Sequence, residues 1–229
     1  NNATTASGNA GSCRYGVFDN GGSISNGGVL VTGFPNLATD FTITGWIRTT
    51  DRTVSGQRIF IDDQSNSGGY GLSLGDGGAG MLRFYARGSS QIILDSTAAI
   101  NNNTWYFVAG VADIANGIRR VYVFDATGTL LTTNSISSSG WGTDAGNASI
   151  GSETTTSTES TFHFRGNLDE VGIYNKVLGQ SALTALAQGR TCANGPHHLQ
   201  IESSGSGLTC TPSTLTIRAC ADAGCTTPY

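Results

Sequence analysis

The chain has 229 residues and a net charge of −4, with a pI of about 5.2. Charged residues make up 12% of it, against roughly 25% in ordinary soluble domains, and the arginines are scattered, with Arg119-Arg120 the one adjacent pair. This excludes a nucleic-acid protein, because phosphate binding needs clustered Lys and Arg, and no apolar run approaches the ~18 residues of a membrane span.

Residues 1–12 are small and polar and read as a flexible N-terminal arm. Arg14 to Asp19 is a candidate first strand, and the Gly- and Ser-rich stretch Asn20 to Gly28 is a loop. Asp40 to Arg48 alternates: Phe41, Ile43 and Ile47 fall on one face, and Thr42, Thr44, Trp46 and Arg48 on the other, the period of a strand. Ile59-Phe60-Ile61 is a strand, Asp62 to Gly69 a polar loop, and Tyr70, Leu72 and Leu74 alternate with Gly71, Ser73 and Gly75 in the next strand.

Met81 to Arg87 and Gln91 to Asp95 are further strands set off by Gly- and Ser-containing turns. Thr104 to Val111 is apolar on both faces, which predicts a central strand buried on both sides. Arg119 to Asp125 and Thr129 to Thr132 form a hairpin turning at Ala126-Thr127-Gly128. Ser135 to Gly146 reads as a long polar loop, Ala148 to Ser152 as a short strand, and Glu153 to Ser160 as loop. Phe162 to Tyr174 is the last long strand of the domain. Ser181 to Gln188 is the one helix, stopped by Gly189, with Leu183 and Leu186 facing a sheet.

Many short strands with glycine turns and almost no helix predict an all-β, two-sheet sandwich or jelly roll over residues 13–192. Residues 193–229 read as a linker and the start of a second β domain cut short, with strands at Leu199 to Glu202 and Thr214 to Arg218. The chain begins Asn1-Asn2-Ala3 without an initiator Met or signal peptide, as a processed product does. None of the five cysteines forms a Cys-x-x-Cys pair, so zinc is not expected. A Cys13–Cys192 disulfide would tie the ends of the domain and contribute on the order of 5 kcal/mol. Cys210, Cys220 and Cys225 lie close together, which leaves one odd; Cys220 and Cys225 are the candidates for a second bridge. This usage points to an oxidising compartment outside the cytoplasm.

Phe41-Thr42-Ile43-Thr44-Gly45-Trp46, Asn103 to Ala109, and Gly166-Asn167-Leu168-Asp169-Glu170-Val171-Gly172-Ile173-Tyr174 together resemble the laminin-G-like family, the concanavalin A-like jelly roll. The finer pattern of Gln57 to Phe60, Asp62-Asp63, Gly69-Tyr70, Leu72 to Asp76, Leu82 to Tyr85, Trp141 to Asp144, Phe162 to Asn167 and the cysteine-containing tail is similar to the MSHA pilus biogenesis protein Q group of bacteria. The resemblance implies export, a cell-surface or pilus-associated setting, and a binding role. It also implies a calcium site on the sandwich rim, with Asp62, Asp63 and Asp144 as ligands and Asn66 as a weaker one. The alternative is that Asp19 and Asp169 clip the first strand to the last. Adjacent carboxylates repel unless a hard cation with oxygen ligands sits near them; the same aspartates also suit turns that face water.

A sugar-stacking platform is expected from Tyr70, Trp141 and Arg87 at the rim. No catalysis is expected. The four glutamates form no carboxylate pair along one strand, and Asp169 and Glu170, being adjacent, point to opposite faces. His163 sits between two phenylalanines as a sheet residue, His197-His198 as linker, and Gly75 to Gly80 joins strand to strand with no helix behind it to cradle a phosphate. The expected function is recognition of a glycan or cell-surface protein, assisted by calcium. The alternative is a structural subunit or accessory of a pilus or filament, self-associating where the N-terminal arm (residues 1–12) and the C-terminal strands (within 197–229) pair with exposed strand edges of neighbouring copies.

Overall fold

The computed structural model of the chain describes residues 4–7, 14–18, 28–35, 37–62, 68–87, 92–137, 147–153, 162–188, 198–202 and 216–220; at 4–7, 14–18, 92, 198–202 and 216–220 the description is of the backbone. In chain order the elements are β1 (Thr4–Ser7), β2 (Arg14–Phe18), β3 (Val29–Val31), β4 (Phe41–Thr49), β5 (Gln57–Asp62), β6 (Tyr70–Leu74), β7 (Leu82–Ala86) and β8 (Ile92–Asp95). They continue with β9 (Tyr106–Asp113), β10 (Ile118–Phe124), β11 (Leu130–Ser137), β12 (Ala148–Ile150), β13 (Gly166–Tyr174), α1 (Gln180–Gln188), β14 (His198–Glu202) and β15 (Thr216–Cys220).

Two antiparallel sheets make a jelly-roll sandwich. One has seven strands in the order β1-β2-β13-β4-β9-β10-β11, the other six in the order β3-β12-β5-β6-β7-β8. A second compact unit holds β14 and β15, paired antiparallel from His198↔Cys220 to Glu202↔Thr216.

The period-2 patterns are what assemble the sandwich. Phe41, Ile43 and Ile47 of β4, Tyr106, Val108 and Ala112 of β9, and Val121 and Val123 of β10 turn inward. There they meet Phe60, Tyr70, Leu72, Leu74, Leu82 and Phe84 of the six-stranded sheet in one buried core. Gly110 of β9 lets the sheets approach: a Cβ there would lie 3.0 Å from the Phe84 ring and 3.2 Å from Leu72 Cδ1.

The opposite face of the seven-stranded sheet is also dry. Trp46, Phe107, Ala109, Val111, Tyr122 and Phe124 form a second cluster, sealed by Leu178 and by Leu183 and Ala187 of α1. Leu183 is fully buried and Leu186 half-buried, so α1 lies on a sheet as its pattern predicted. Tyr106 to Asp113 is buried throughout, which accounts for the two-sided apolar run.

The structure differs from the sequence reading in several places. β11 continues to Ser137, into the stretch read as loop, because Thr133 to Ser137 stays in register with β10. Val29–Val31 forms a strand against β12 that the short glycine-flanked pattern did not reveal. Thr4–Ser7, within the expected arm, is the edge strand β1.

The last long strand starts at Gly166, not Phe162. Residues 162–165 bond to a turn and to the first side chain of β5 instead: Phe164 N–H donates to Gly151 O (2.8 Å) and Arg165 N–H to Gln57 Oε1 (3.0 Å). His163 therefore sits in irregular chain, not mid-strand. The pairing of β13 with β4 is broken between Asp169 and Gly172, where Glu170 has φ +47° and its N–H donates to Asp169 Oδ1 at 2.9 Å. Across this bulge Asp169 is half-buried and its carboxylate caps the Glu170 N–H, while Glu170 is exposed.

Candidate functional site

Register locates the predicted rim. β5 ends at Asp62↔Tyr70 and β6 pairs Tyr70↔Ala86. Phe41, opposite Ala112, has its ring centroid 4.3 Å from that of Tyr70. Ala112 is in turn opposite Arg119 and Arg119 opposite Ile136, so β11 ends at this same end of the sandwich. β12 starts there too, with Ser149 opposite Ile61.

Asp62 and Gly68 thus share an end with Ser137 and with Asn147, whose Oδ1 accepts from Gly33 N–H at 3.3 Å. Asp63, Asn66, Trp141 and Asp144 lie outside the described residues, as do Asp19, Gly189, Cys13, Cys192, Cys210, Cys225 and the side chain of Cys220.

Asp62 is buried on the inner face beside its cross-strand partner Tyr70. Burial, the Asp62 charge and the hydrogen bond between the two side chains push the Tyr70 phenol far above the usual tyrosine range. Tyr70 is 0% exposed, packed on Phe41 and on Phe60 at 6.4 Å, so its ring is core and presents no face to a sugar. Among the described residues no group of three or more His, Cys, Asp or Glu side chains gathers for a metal. Asp62 supplies a carboxylate, the donor type calcium takes. Arg119, also on the inner face at this end, is 2% exposed, and burial pulls its guanidinium down to about 10.

The outer face of the six-stranded sheet carries a second, better-defined constellation. One cross-strand row runs Arg58↔Ser73↔Arg83↔Asp95 over β5, β6, β7 and β8. Arg58 joins two carboxylates, with Nη1 2.7 Å from Asp76 Oδ2 and Nε 2.9 Å from Glu153 Oε2. Ser73 Oγ donates to Asp76 Oδ2 at 2.6 Å. Arg83 grips Asp95 bidentately, Nε to Oδ1 at 2.7 Å and Nη2 to Oδ2 at 2.8 Å. Burial works against the Arg58 charge, but Tyr85, Asp76 and Glu153 outweigh it and raise the guanidinium above its usual value; the Asp95 hydrogen bond does the same for Arg83.

A parallel apolar row, Ser149↔Ile61↔Gly71↔Tyr85↔Ile93, lies beside it. Gly71 is what lets Tyr85 lie down across β6: a Cβ there would come within 2.6 Å of Tyr85 Oη and 2.5 Å of Ile61 Cδ1. The guanidinium carbons of Arg58 and Arg87 sit 5.6 and 5.4 Å from the Tyr85 centroid. Arg58 also covers Phe162, at 4.5 Å. Ile93 and Phe162 stay open at 39% and 40% exposure. Of the predicted ligand residues, Arg87 belongs here, on the sheet face and not with Tyr70. Arg58, Asp76, Arg83, Asp95 and Glu153 escaped sequence reasoning because register, not sequence proximity, brings them together. The polar positions alternating through Leu82 to Arg87 were the legible signal.

Residues 20–184 match the concanavalin A-like lectin/glucanases superfamily of laminin-G type. The chain belongs to this superfamily. Residues 197–229 match a domain of unknown function. No curated protein matches the chain. Among solved structures, domain 4 of AbnA, a GH43 extracellular arabinanase from Geobacillus stearothermophilus in complex with arabinotriose, is similar at 20% identity and a TM-score of 0.55, covering 82% of each chain. The CBM40 of the Ruminococcus gnavus IT-sialidase, bound to α2,3-sialyllactose, is 18% identical with a TM-score of 0.52, over 70% of this chain and 96% of that one. A putative carbohydrate-binding protein of Bacteroides ovatus is 18% identical with a TM-score of 0.51; the match covers 69% of this chain and 43% of that one. These are likenesses of fold, and the superfamily membership agrees with the jelly roll seen here.

Proposed function

We propose that the chain is a non-catalytic glycan-binding domain whose ligand docks on the outer face of the six-stranded sheet. One observation carries this reading: α1 seals the other sheet, whereas on this face the partly exposed Arg83–Asp95 pair lies beside exposed Ile93, with Arg58 and Ser73 buried behind them. Sugars need this pairing, hydroxyl partners on one side and an apolar surface for the C–H face on the other. The fold neighbours support it, since two were solved with arabinotriose and sialyllactose.

Catalysis is not part of the reading. A glycosidase needs two carboxyl groups facing the substrate across a gap. Here Asp76 and Glu153 share one guanidinium, and both oxygens of Asp95 are held by Arg83.

Calcium belongs to the proposal as a support for the rim, held by Asp62, Asp63 and Asp144 with Asn66. It would supply a fixed positive charge among their oxygens. Export to the cell surface, in an adhesin-like or pilus-associated setting, is supported by the sparse charge and by the resemblance to the MSHA pilus biogenesis protein Q group. No helix among the described residues is long and apolar enough to cross a membrane. The competing reading, a structural subunit or accessory of an extracellular filament, is favoured by the uncharged, exposed edge strand β11.

Affinity electrophoresis in gels containing dissolved polysaccharides tests the binding reading. At least one polysaccharide retards the chain, and Arg83→Ala or Asp95→Ala weakens retardation by about tenfold, the loss of a charge-assisted hydrogen bond. Release of reducing ends from any polysaccharide contradicts it.

A further inference from the structure

We infer that the glycan taken by the outer face of the six-stranded sheet is uncharged, and that the Asp95 carboxylate, standing in front of Arg83, is what selects it. This deepens the glycan-binding reading above and rests on it. Three ion pairs are described on this face, and in each the carboxylate is the more exposed partner. Asp95 is 29% exposed against 19% for Arg83; Asp76 at 18% and Glu153 at 16% stand against 6% for Arg58. The guanidinium groups lie behind and the acceptors in front.

Charge along the polar row points the same way. Three carboxylates meet two guanidinium groups there, on a chain whose net charge is −4. The Asp95 hydrogen bond, against burial, and then the charges of Asp95 and Asp76 raise the Arg83 guanidinium, so both carboxylates act on one cation. Gly77 makes room for this: a Cβ there would lie 2.4 Å from Asp95 Cγ, so Asp95 lies against the residue that follows Asp76. Arg87 is four residues beyond Arg83, about 13 Å along the strand direction, and stacks on Tyr85.

Hydroxyl groups fit this arrangement and anions do not. An ionised carboxylate has about four lone-pair positions; Arg83 takes one on each Asp95 oxygen, and the rest accept from sugar O–H groups. A guanidinium has about five N–H groups and the Asp95 fork uses the Nε and Nη2 sides, so Arg83 returns hydrogen bonds to the same sugar oxygens. A uronate or sulfate only accepts. It meets acceptors first, and to reach Arg83 it has to displace a bidentate carboxylate. An amino sugar is poorly matched as well, because a desolvated ammonium needs a carboxylate of its own and all three here already hold a guanidinium.

The test is isothermal titration calorimetry of the full chain against neutral polysaccharides (arabinan, dextran, galactomannan), acidic ones (polygalacturonate, alginate, chondroitin sulfate) and cationic chitosan. At least one neutral polysaccharide binds and no charged one does. The affinity holds within about twofold between about 0.01 and 1 M NaCl, where screening removes long-range charge effects. Asp95→Asn keeps the shape but strips Arg83 of its carboxylate: neutral binding falls roughly tenfold, and at least one acidic polysaccharide now binds. Glu170→Gln, which makes the same charge change at an exposed residue of β13 in the other sheet, does neither. A merely structural Asp95 would weaken all binding without admitting acidic ligands. Preference of the parent for an acidic polysaccharide or chitosan, an affinity that collapses with salt, or an Asp95→Asn variant of unchanged selectivity overturns the inference and leaves the glycan-binding reading standing. Binding of no polysaccharide of any charge overturns both.

Discussion

Gln57 opens β5 and is fully buried, and its amide is used four times. Oε1 accepts from Thr49 Oγ1 (3.0 Å) and from Arg165 N–H (3.0 Å); Nε2 donates to Asp51 O (2.9 Å) and Val54 O (3.1 Å). One side chain thus fixes the turn between β4 and β5 and the segment that lays Phe162 over Arg58. Gln57→Leu keeps the volume and deletes all four bonds. At about 1 kcal/mol net per bond the loss is about 4 kcal/mol. Water reaching the partly exposed Asp51 and Val54 carbonyls trims this to about 3 kcal/mol. For a domain of this size that lowers Tm by roughly 6–12 °C. Urea unfolding followed by tryptophan fluorescence measures it, with the midpoint falling and the slope unchanged. A loss below about 1 kcal/mol would refute the view of Gln57 as the clamp between these segments.

Leu72→Ala empties a site between the sheets facing Gly110 and should cost about 2–5 kcal/mol in the same unfolding assay; a near-neutral result contradicts the inward assignment of β6. Acid should act through carboxylates held low in the folded state. Hydrogen bonds from Thr127 and Thr129 lower Asp125; for Asp113, burial opposes but the bonds from Arg120 and Asn116 prevail. Depressed folded values mean stability that is present above the unfolded value near 3.9 and lost as pH falls through the folded one. Urea midpoints should therefore drop below about pH 4, less steeply in Asp125→Ala, and an identical acid limb in that variant contradicts this. Calcium at millimolar concentration should raise Tm of the parent chain, with the shift lost in Asp63→Ala and Asp144→Ala and reversed by chelation; no shift in the parent removes calcium from the account.

Strand-level structure was legible because alternation is local. Phe41, Ile43 and Ile47 turn inward as read, and the two-sided run from Tyr106 is buried on both faces. The helix signal at Leu183 and Leu186 was equally direct. What failed involved long-range partners. Residues 162–165 have strand composition, yet Gly151 and Gln57, distant in sequence, take their hydrogen bonds. The Asp169–Glu170 bulge depends on φ at Glu170, which side-chain pattern does not encode. Tyr70 illustrates the same limit for the site. A tyrosine beside a polar loop reads as a rim aromatic, but its place opposite Asp62 and against Phe41 is set by sheet stacking. Likewise Arg58 and Glu153 become neighbours only once β12 pairs with β5.

Glycan binding is decided on the outer face of the six-stranded sheet. A glycan-array comparison of the parent chain with a folded Arg83→Ala/Asp95→Ala double variant addresses it most directly. A defined set of glycans bound by the parent and lost from the double variant is the predicted result; no glycan bound by the parent, or one profile shared by both proteins, contradicts it.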